Sequence, residues 1–320
     1  MVHADVCPAT DVRVIGHRGS GTNSESSLPE NTIASVIQAG VDGADMVEID
    51  VQLSLDGRLY VIHDDTVDRT TDGTGCVADL SASELDALSA DGERVPTLEA
   101  LLAATPLPLN IELKVNEEPS CPETDRFRLA AELLRVLALD PTPREVLITS
   151  FDLDQLFSVR GMDDSLPLGL LTTERGGFDT AIAERFDSIN PLAAVVRAAD
   201  VEAAHAAGLR VHPYTVNDEV TMRRLIGFGV DGIITDHPAR LVAVQRAICA
   251  EACSDDPDVD GGPEGDGGAD AGAADAAADA GGSDGGGGCS SAGADGAGAA
   301  FALCALVLRR RRARRSSRRP

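Results

Sequence analysis

The chain has 320 residues and a formal net charge of -26, and its composition changes sharply near residue 254. Residues 1–253 mix apolar and charged side chains as one large globular domain does, whereas residues 254–288 are nearly all Asp, Gly, Ala and Ser and cannot form a buried core. A protein this acidic is a poor partner for nucleic acid, which excludes that class of function. If it acts on an anionic substrate it needs a local cation, and a divalent metal ion is the usual one.

Eight short runs rich in Val, Ile and Leu alternate with segments of helical period, which is typical of βα units around a parallel sheet. The sequence predicts strands at Arg13–Gly16, Met46–Asp50, Leu109–Lys114, Val146–Ser150, Leu166–Leu171, Asp187–Asn190, Leu209–Val216 and Gly232–Asp236. It predicts helices that include Thr32–Ala39, Ser81–Leu88, Leu98–Ala104, Arg128–Leu139 and Val201–Ala207. Eight such units in about 250 residues favour an α/β fold of the TIM (β/α)₈ barrel type. An open, doubly wound sheet is the alternative, but no GxGxxG motif follows the first strand.

One further apolar run, Leu59–His63, follows the second strand too closely to be a parallel barrel strand. The short connection between them includes Ser54-Leu55-Asp56-Gly57, and Asp-Gly is a hairpin turn signal. A parallel crossover needs about a dozen residues or more. The sequence therefore predicts a small β-hairpin insertion after strand 2, folded over the barrel mouth.

The carboxyl ends of the predicted strands carry closely spaced acids. Glu48 and Asp50 are two residues apart on one strand, so their side chains point to the same side, and Glu112 and Lys114 repeat this spacing. Strand ends meet at the mouth of a TIM barrel, where three converging carboxylates would repel one another. A hard divalent cation relieves that repulsion. The sequence predicts one divalent cation, Mg²⁺ or Ca²⁺, on Glu48, Asp50 and Glu112; ion-paired or solvated acids are the alternative.

Basic residues at the same ends suggest chemistry on a phosphate. Lys114 is the only lysine in the sequence. A compact ammonium fits beside a phosphate oxygen where a guanidinium is too broad, and chance is the alternative explanation. His17 and His63 also lie at strand ends, and two imidazoles can divide general base and general acid work near neutral pH. The other four histidines are weaker candidates: His3, His205, His212 and His237. Of these, His212 is expected to have a packing role inside the seventh strand.

The cysteines show no CxxC pairs of the kind that mark a zinc site. Disulfides in an exported protein and free thiols both remain open. If disulfides form, Cys7 with Cys249 or Cys253 would join the two ends of the domain. Cys76 with Cys121 would join two loops on one face.

Eight motifs between residues 12 and 243 resemble, in order and spacing, those of the glycerophosphodiester phosphodiesterase family. They are Gly16-His17-Arg18-Gly19, Pro29-Glu30-Asn31-Thr32, Val47-Glu48-Ile49-Asp50-Val51, Asp56-Gly57, Val61-Ile62-His63-Asp64, Ile111-Glu112-Leu113-Lys114, Tyr214-Thr215-Val216-Asn217 and Gly232-Ile233-Ile234-Thr235-Asp236. The resemblance implies a TIM barrel with a hairpin insertion, and cleavage of glycerophosphodiesters to sn-glycerol 3-phosphate and an alcohol. Tyr214 stands where the family has tryptophan, so the shape of the substrate pocket is expected to differ.

The resemblance assigns a role to each polar residue at the mouth: catalysis to His17 and His63, metal binding to Glu48, Asp50 and Glu112, phosphate binding to Arg18 and Lys114, and the substrate pocket to Tyr214 and Asn217. It implies metal-assisted displacement at phosphorus, with His17 as general base and His63 as general acid. The opposite assignment is open, as is the choice of water or the substrate's glycerol hydroxyl as nucleophile. Phospholipase D-type action on lysophospholipids and a non-catalytic surface barrel are the alternative functions.

The C-terminal residues 289–320 resemble bacterial sorting signals of the MYXO-CTERM type. Cys289 follows four glycines, residues 298–308 are apolar but too few to span a bilayer, and Arg309–Arg312 follow at once. The resemblance implies export, processing at Cys289 and anchoring in the cell-envelope membrane through the tail, with residues 254–288 as a flexible spacer. Met1–Asp11 contains no apolar run of signal-peptide length, which conflicts with export. A plain basic tail on a cytoplasmic enzyme and an uncleaved weak anchor are the alternatives.

Overall fold

The computed structural model describes residues 7–21 and 28–254, which form a parallel β-barrel with helices around it. The strands are β1 Arg13–Gly16, β2 Met46–Leu53, β3 Leu59–Val61, β4 Ser89–Ala90, β5 Glu93–Arg94, β6 Leu109–Leu113, β7 Val146–Ser150, β8 Leu168–Thr172, β9 Ser188–Pro191, β10 Arg210–Val211 and β11 Gly232–Thr235. The α-helices are α1 Ile33–Val41, α2 Ala82–Leu85, α3 Leu98–Ala104, α4 Arg126–Leu139, α5 Leu153–Met162, α6 Gly176–Glu184, α7 Ala198–Ala206, α8 Glu219–Gly227 and α9 Pro238–Ser254. Short 3₁₀ turns lie at Pro8–Asp11, Val77–Asp79 and Ala193–Val195.

The proposed spacer beyond Ser254 and the tail at residues 289–320, with Cys289, lie outside the described residues. Within the described ranges, no helix combines the length and the apolar character needed to cross a membrane.

Eight parallel strands follow one another around the barrel in the order β1, β2, β6, β7, β8, β9, β10 and β11. Backbone hydrogen bonds join the segment of β10 to that of β11 and so close the barrel: Asp231 N donates to Val211 O at 3.0 Å, and Ile234 N donates to Pro213 O at 2.9 Å. The predicted TIM barrel is thus confirmed. Its strand ends share one mouth, as the sequence-based site requires.

The seventh predicted strand, Leu209–Val216, is the one that differs most from its prediction. Regular strand structure covers Arg210–Val211 alone. Pro213 has no N–H to give to a ladder, which interrupts the pattern at that point. The segment nevertheless stays in the barrel wall, because Tyr214 N donates to Pro191 O at 3.0 Å and Val216 N donates to Ile234 O at 2.9 Å.

Alternate residues of each barrel strand face opposite sides, and the two sides differ in chemistry. Outward residues such as Ile49 and Ile111 join the large apolar cluster beneath the helices. The interior has a small apolar cluster of Ile15, Met46 and Ile234. Much of the remaining interior is buried and polar: Glu48, Asp50, Asn110, Glu112, Thr149, Ser188, Asn190 and His212. Buried polar groups cost free energy unless they are hydrogen-bonded or paired, and Thr149 with Asn110 and Ser188 with Asn190 form such hydrogen bonds.

His212 is packed as expected, and it should make stability depend on pH. It is 1 % exposed, neither ring nitrogen has a hydrogen-bond partner among the residues that the structure describes, and burial lowers its pKa to about 4. As the pH falls from 6.5 toward 4, the unfolded chain takes up a proton here that the folded protein does not. The folded state should therefore lose up to about 3 kcal/mol over that window and nothing further below it.

Urea unfolding of the wild type and His212→Gln at several pH values measures this effect. The variant should show a shallower fall of unfolding free energy between pH 6.5 and 4. Equal slopes for the two proteins would show that His212 does not contribute.

The predicted insertion after strand 2 is present and forms a small second core. β2 extends past the barrel wall and pairs antiparallel with β3, with Gln52 opposite Tyr60, which confirms the hairpin. The insertion continues through α2 and the β4–β5 pair, and the predicted helix Ser81–Leu88 is shortened to Ala82–Leu85. Six buried side chains hold it together: Tyr60, Ile62, Val67, Val77, Leu85 and Val95.

Two disulfides join distant parts of the described chain. Cys7 pairs with Cys249 and thereby links the first residues of the barrel domain to α9. Of the two partners left open for Cys7, the structure therefore selects Cys249. Cys76 pairs with Cys121, as anticipated, and links the insertion to the loop after β6.

Candidate active site

Three carboxylates meet inside the barrel below its mouth. Glu48 and Asp50 extend inward from β2, and Glu112 extends from β6, where it lies opposite Asp50 in the parallel register. One oxygen of each carboxylate lies within 4.8 Å of the others. Glu48, Asp50 and Glu112 are 4 %, 1 % and 8 % exposed, so water screens their charges poorly. The structure brings together the three residues that the sequence predicted as metal ligands.

The carboxylate triad is electrostatically unfavourable by itself. Burial, and next the negative charges of Asp50 and Glu112, raise the pKa of Glu48 well above its usual range. Burial and the Asp50 carboxylate raise the pKa of Glu112 to about 7. Burial would also raise the pKa of Asp50, but Arg18, His63 and Lys114 outweigh it and lower that pKa. A cation held between the three oxygens would offset this repulsion.

The donor set fits a hard divalent cation. Glu48 Oε2 accepts from the Arg18 backbone N–H at 3.0 Å, Asp50 Oδ2 accepts from Asn31 Nδ2 at 2.9 Å, and Glu112 Oε1 accepts from Lys114 Nζ at 2.9 Å. Asp50 Oδ1 is buried with no hydrogen-bond partner among the described residues. These contacts orient each carboxylate and leave oxygen atoms for a metal. Carboxylate oxygens are the ligands that Mg²⁺ and Ca²⁺ prefer.

Arg18 lies beside the triad because the chain turns back sharply after β1, with a φ of 52° at this residue. Its guanidinium donates to Glu30 Oε1 at 2.8 Å, and Nε lies 3.4 Å from Asp50 Oδ2. Burial would lower the pKa of Arg18, but Asp50 and Glu30 outweigh it and raise that pKa. Arg18 is therefore a fixed positive charge next to the carboxylates.

His17 is oriented by a carboxylate from the last strand. Its Nδ1 lies 2.6 Å from Asp236 Oδ1, a contact that becomes possible because β11 closes the barrel against β1. Asn217 Nδ2 donates to Asp236 Oδ2 at 2.6 Å, and the Asp236 backbone N–H donates to Asn217 Oδ1 at 2.9 Å. A carboxylate on Nδ1 fixes the tautomer that leaves Nε2 for chemistry. Asn217, predicted for the substrate pocket, contacts this carboxylate and so supports His17.

His63 lies on the insertion and contacts the barrel through Lys114. Its Nδ1 lies 2.7 Å from Asp64 Oδ1, and its Nε2 lies 3.2 Å from Lys114 Nζ. Gln52 Nε2 fixes this part of the insertion by donating to the carbonyl oxygens of Ile62, His63 and Asp64 at 3.2, 3.0 and 2.7 Å. Burial lowers the pKa of His63, with further lowering by Lys114.

Lys114 is 8 % exposed and lies between Glu112 and His63. Burial would lower its pKa, but the charges of Glu112 and Asp50 outweigh burial and raise it. The ammonium is therefore charged at the point where the triad meets the insertion.

Tyr214 lies at the mouth, on the segment that follows β10. Burial, and next the Glu112 carboxylate, raise the pKa of its hydroxyl to about 12. The hydroxyl donates to Thr172 O at 3.2 Å, and the ring packs edge-on against Phe151 with centroids 5.9 Å apart. Phe151 is 40 % exposed. This aromatic pair occupies the region that the sequence assigned to the substrate pocket.

Several site residues received no predicted role, although the structure connects them to the residues that did. Asp236, Glu30 and Asn31 were part of the quoted motifs, and their type and motif membership were the available signal. Arg69 had no such sequence signal. In the structure it donates to both Glu30 and Asp64 from a loop of the insertion. Arg69 thus links Glu30, which pairs with Arg18, to Asp64, which contacts His63.

Replacing Asp236 by Asn should impair the orientation of His17 without removing it. The amide is a weaker partner for an imidazole that gains a proton, so we expect kcat to fall about 10- to 100-fold with little change in KM. Asn217→Ala, which removes two contacts to Asp236, should give a smaller loss of the same kind. Steady-state kinetics on a phosphodiester substrate distinguish this result from loss of substrate binding, which would raise KM instead.

Comparison with known proteins gives a consistent assignment. Residues 17–240 match the model of the glycerophosphoryl diester phosphodiesterase family. A glycerophosphodiester phosphodiesterase of Caldanaerobacter subterraneus subsp. tengcongensis is 36% identical over 248 residues, which cover 73% of this chain and 97% of that protein. One of Bacillus altitudinis is 31% identical over 259 residues, covering 74% of this chain and 99% of that protein.

A solved structure supports the same fold. An Oleispira antarctica phosphodiesterase, in complex with the product sn-glycerol-3-phosphate, matches with a TM-score of 0.66 and 29% sequence identity, covering 72% of this chain and 96% of that one. The family match spans well over half of the chain and includes every polar residue at the barrel mouth described above. The chain therefore belongs to the glycerophosphoryl diester phosphodiesterase family and is a phosphoric diester hydrolase.

Proposed function

We propose that the protein hydrolyses glycerophosphodiesters to sn-glycerol 3-phosphate and an alcohol, and that it requires one divalent cation, Mg²⁺ or Ca²⁺. The observation that carries this proposal is the buried carboxylate triad of Glu48, Asp50 and Glu112, flanked by Arg18 and Lys114. The Oleispira relative holds the product sn-glycerol-3-phosphate, which supports the same product here.

The triad would hold the cation, with Asn31 and the Arg18 backbone orienting two of its carboxylates. When bound, a divalent cation supplies a Lewis acid that neutralises phosphate oxygens. Arg18 and Lys114 stabilise the charge that moves onto those oxygens as the bond to phosphorus breaks. Both charges are fixed in place by Glu30 and Glu112 before substrate arrives, so little reorganisation is needed.

Two proton transfers complete the reaction. His17, with Asp236 on Nδ1, takes the proton of the attacking hydroxyl through Nε2. The nucleophile is water or the glycerol hydroxyl of the substrate; in the second case water opens the resulting cyclic phosphate. His63 gives a proton to the alcohol oxygen as its bond to phosphorus breaks, and the alcohol leaves neutral.

Two other functions remain as outcomes of the test. Phospholipase D-type action on lysophospholipids uses the same site, and the exposed Phe151 ring at the mouth could contact an acyl chain. A non-catalytic surface barrel would be expected to lack one of the two histidines or three carboxylates. All five are present and brought into one mouth, which favours an enzyme.

The experiment is release of sn-glycerol 3-phosphate from glycerophosphocholine and glycerophosphoethanolamine by the full chain, with and without EDTA. Release that EDTA abolishes and that Mg²⁺ or Ca²⁺ restores is expected. Cleavage of lysophospholipid with no release from these diesters would favour the phospholipase reaction. Inactivity of the folded protein on every diester would favour the non-catalytic surface barrel.

We also propose that the enzyme works outside the cytoplasm, anchored to the cell envelope by its C-terminal tail. The two disulfides support an oxidising compartment, since such bonds are rare in reduced cytosol. Cell fractionation with an antibody to the barrel tests the proposal. Recovery of the protein in the soluble cytosolic fraction with free thiols would contradict it.

A further inference from the structure

A cleft of about 340 Å³ opens on the insertion side of the active site. Its walls are two segments: the insertion contributes His63, Asp64 and Asp65, and the loop after β6 contributes Lys114, Glu117 and Glu118. We call this space the acidic cleft. Its volume is in the range that small-molecule sites occupy. His63 and Lys114 lie in its wall, so the cleft adjoins the residues that the proposed function places around the phosphate.

Some charged groups of the acidic cleft are neutralised by an ion-pair partner and others are not. Asp64 is neutralised by Arg69, whose Nε donates to it at 2.6 Å, and Lys114 is neutralised by Glu112. Glu118 Oε1 accepts from the hydroxyl of Ser120 at 2.9 Å. The Glu117 carboxylate has no hydrogen-bond or salt-bridge partner among the described residues, and Glu117 lines the same cleft as Lys114 and His63.

The outer wall of the cleft is held in place. Asp65 Oδ2 accepts from the backbone N–H groups of Glu117 and Glu118 at 2.8 and 2.7 Å. Cys121, which follows Glu118 in the same loop, forms a disulfide with Cys76 of the insertion. The backbone that carries Glu117 and Glu118 is therefore tied to the insertion segment that also carries His63.

We infer that the acidic cleft holds the leaving alcohol, and that Glu117 and Glu118 make the enzyme selective for diesters whose alcohol is a small cation such as choline or ethanolamine. The inference rests on the proposed function, in which His63 protonates the leaving oxygen. An alcohol that receives its proton from His63 lies on the His63 side of the phosphate. There its positive charge meets carboxylates that the protein leaves unneutralised.

The test compares two substrate classes at low salt. Glycerophosphocholine and glycerophosphoethanolamine carry a cationic alcohol, and glycerophosphoglycerol and glycerophosphoinositol carry a neutral one. For Glu117→Gln we expect kcat/KM to fall about 5- to 10-fold on the cationic class and to stay unchanged on the neutral class. Glu117→Lys should enlarge that selective loss, and added NaCl should reduce the selectivity of the wild type because it screens the contact.

Glu123→Gln is the matched control, since Glu123 belongs to the same loop, is 88 % exposed in its side chain, and does not line the acidic cleft. It should leave both substrate classes unchanged. Equal losses on both classes for Glu117→Gln, or no loss on either, would overturn the inference while the proposed function stands. Failure of the wild type to release sn-glycerol 3-phosphate from any of the four diesters would instead overturn both.

Discussion

Replacing Glu48 by Gln is expected to give a protein that is more stable without metal and nearly inactive with it. The substitution keeps the side-chain shape and the oxygen that accepts from the Arg18 backbone N–H. It removes a buried negative charge that burial and its two neighbouring carboxylates disfavour. The metal-free protein should therefore gain unfolding free energy, because the amide carries no charge. Activity should fall at least about 100-fold, because a metal ligand is lost.

Thermal unfolding in EDTA and in excess Mg²⁺ or Ca²⁺ measures both effects. The wild type should gain stability on metal addition, since a ligand that binds the folded state stabilises it, and Glu48→Gln should gain much less. Glu202→Gln, a change of the same kind on the exposed surface of α7, should behave as the wild type. A metal response of Glu48→Gln equal to that of the wild type would exclude Glu48 as a ligand.

The second large effect concerns the two histidines. His17→Asn and His63→Asn should each lower kcat on glycerophosphocholine about 100- to 10,000-fold, the usual contribution of a general acid or base. The two losses should differ on a diester whose leaving group is p-nitrophenol, a stable anion that needs no proton. His63→Asn should recover most of its activity on that substrate, because its proton is no longer required. His17→Asn should remain impaired, because the nucleophile still has to lose a proton.

His205→Asn is the control for this pair, since His205 lies away from the mouth and pairs with Asp231. It should leave both substrates unaffected. Recovery by His17→Asn in place of His63→Asn would reverse the assignment of acid and base. Equal impairment of the two variants on both substrates would mean that neither histidine protonates the leaving group.

The geometry of the carboxylate triad could be predicted from sequence because it depends on local rules. Two residues that are two positions apart on a strand point to one side, and the ends of parallel strands meet at one mouth. These two rules are enough to predict that Glu48, Asp50 and Glu112 lie together. The hairpin after strand 2 was predictable for a similar reason, since a four-residue Asp-Gly turn leaves no room for a crossover helix.

The contacts that orient the triad and the histidines depend on closure of the chain over long distances, which local rules do not describe. Asp236 reaches His17 because β11 pairs with β1, more than two hundred residues away in sequence. Arg69 reaches Glu30 and Asp64 through the fold of the insertion, whose loops carry no periodic pattern. The seventh strand is irregular because of one residue, Pro213, which has no N–H for the ladder. Its neighbours still form hydrogen bonds with the adjacent strands.

The disulfide between Cys7 and Cys249 makes the barrel domain a covalent ring of the chain, with a sequence separation of 242. A protease that cuts one exposed loop would open this ring without releasing a fragment, so nicked barrel would still migrate as one species until a reductant is added. The unfolded oxidised chain is also more compact than a linear one, and it should expose less new surface to denaturant. An enzyme outside the cell would thereby tolerate single cleavages that would divide an unlinked chain.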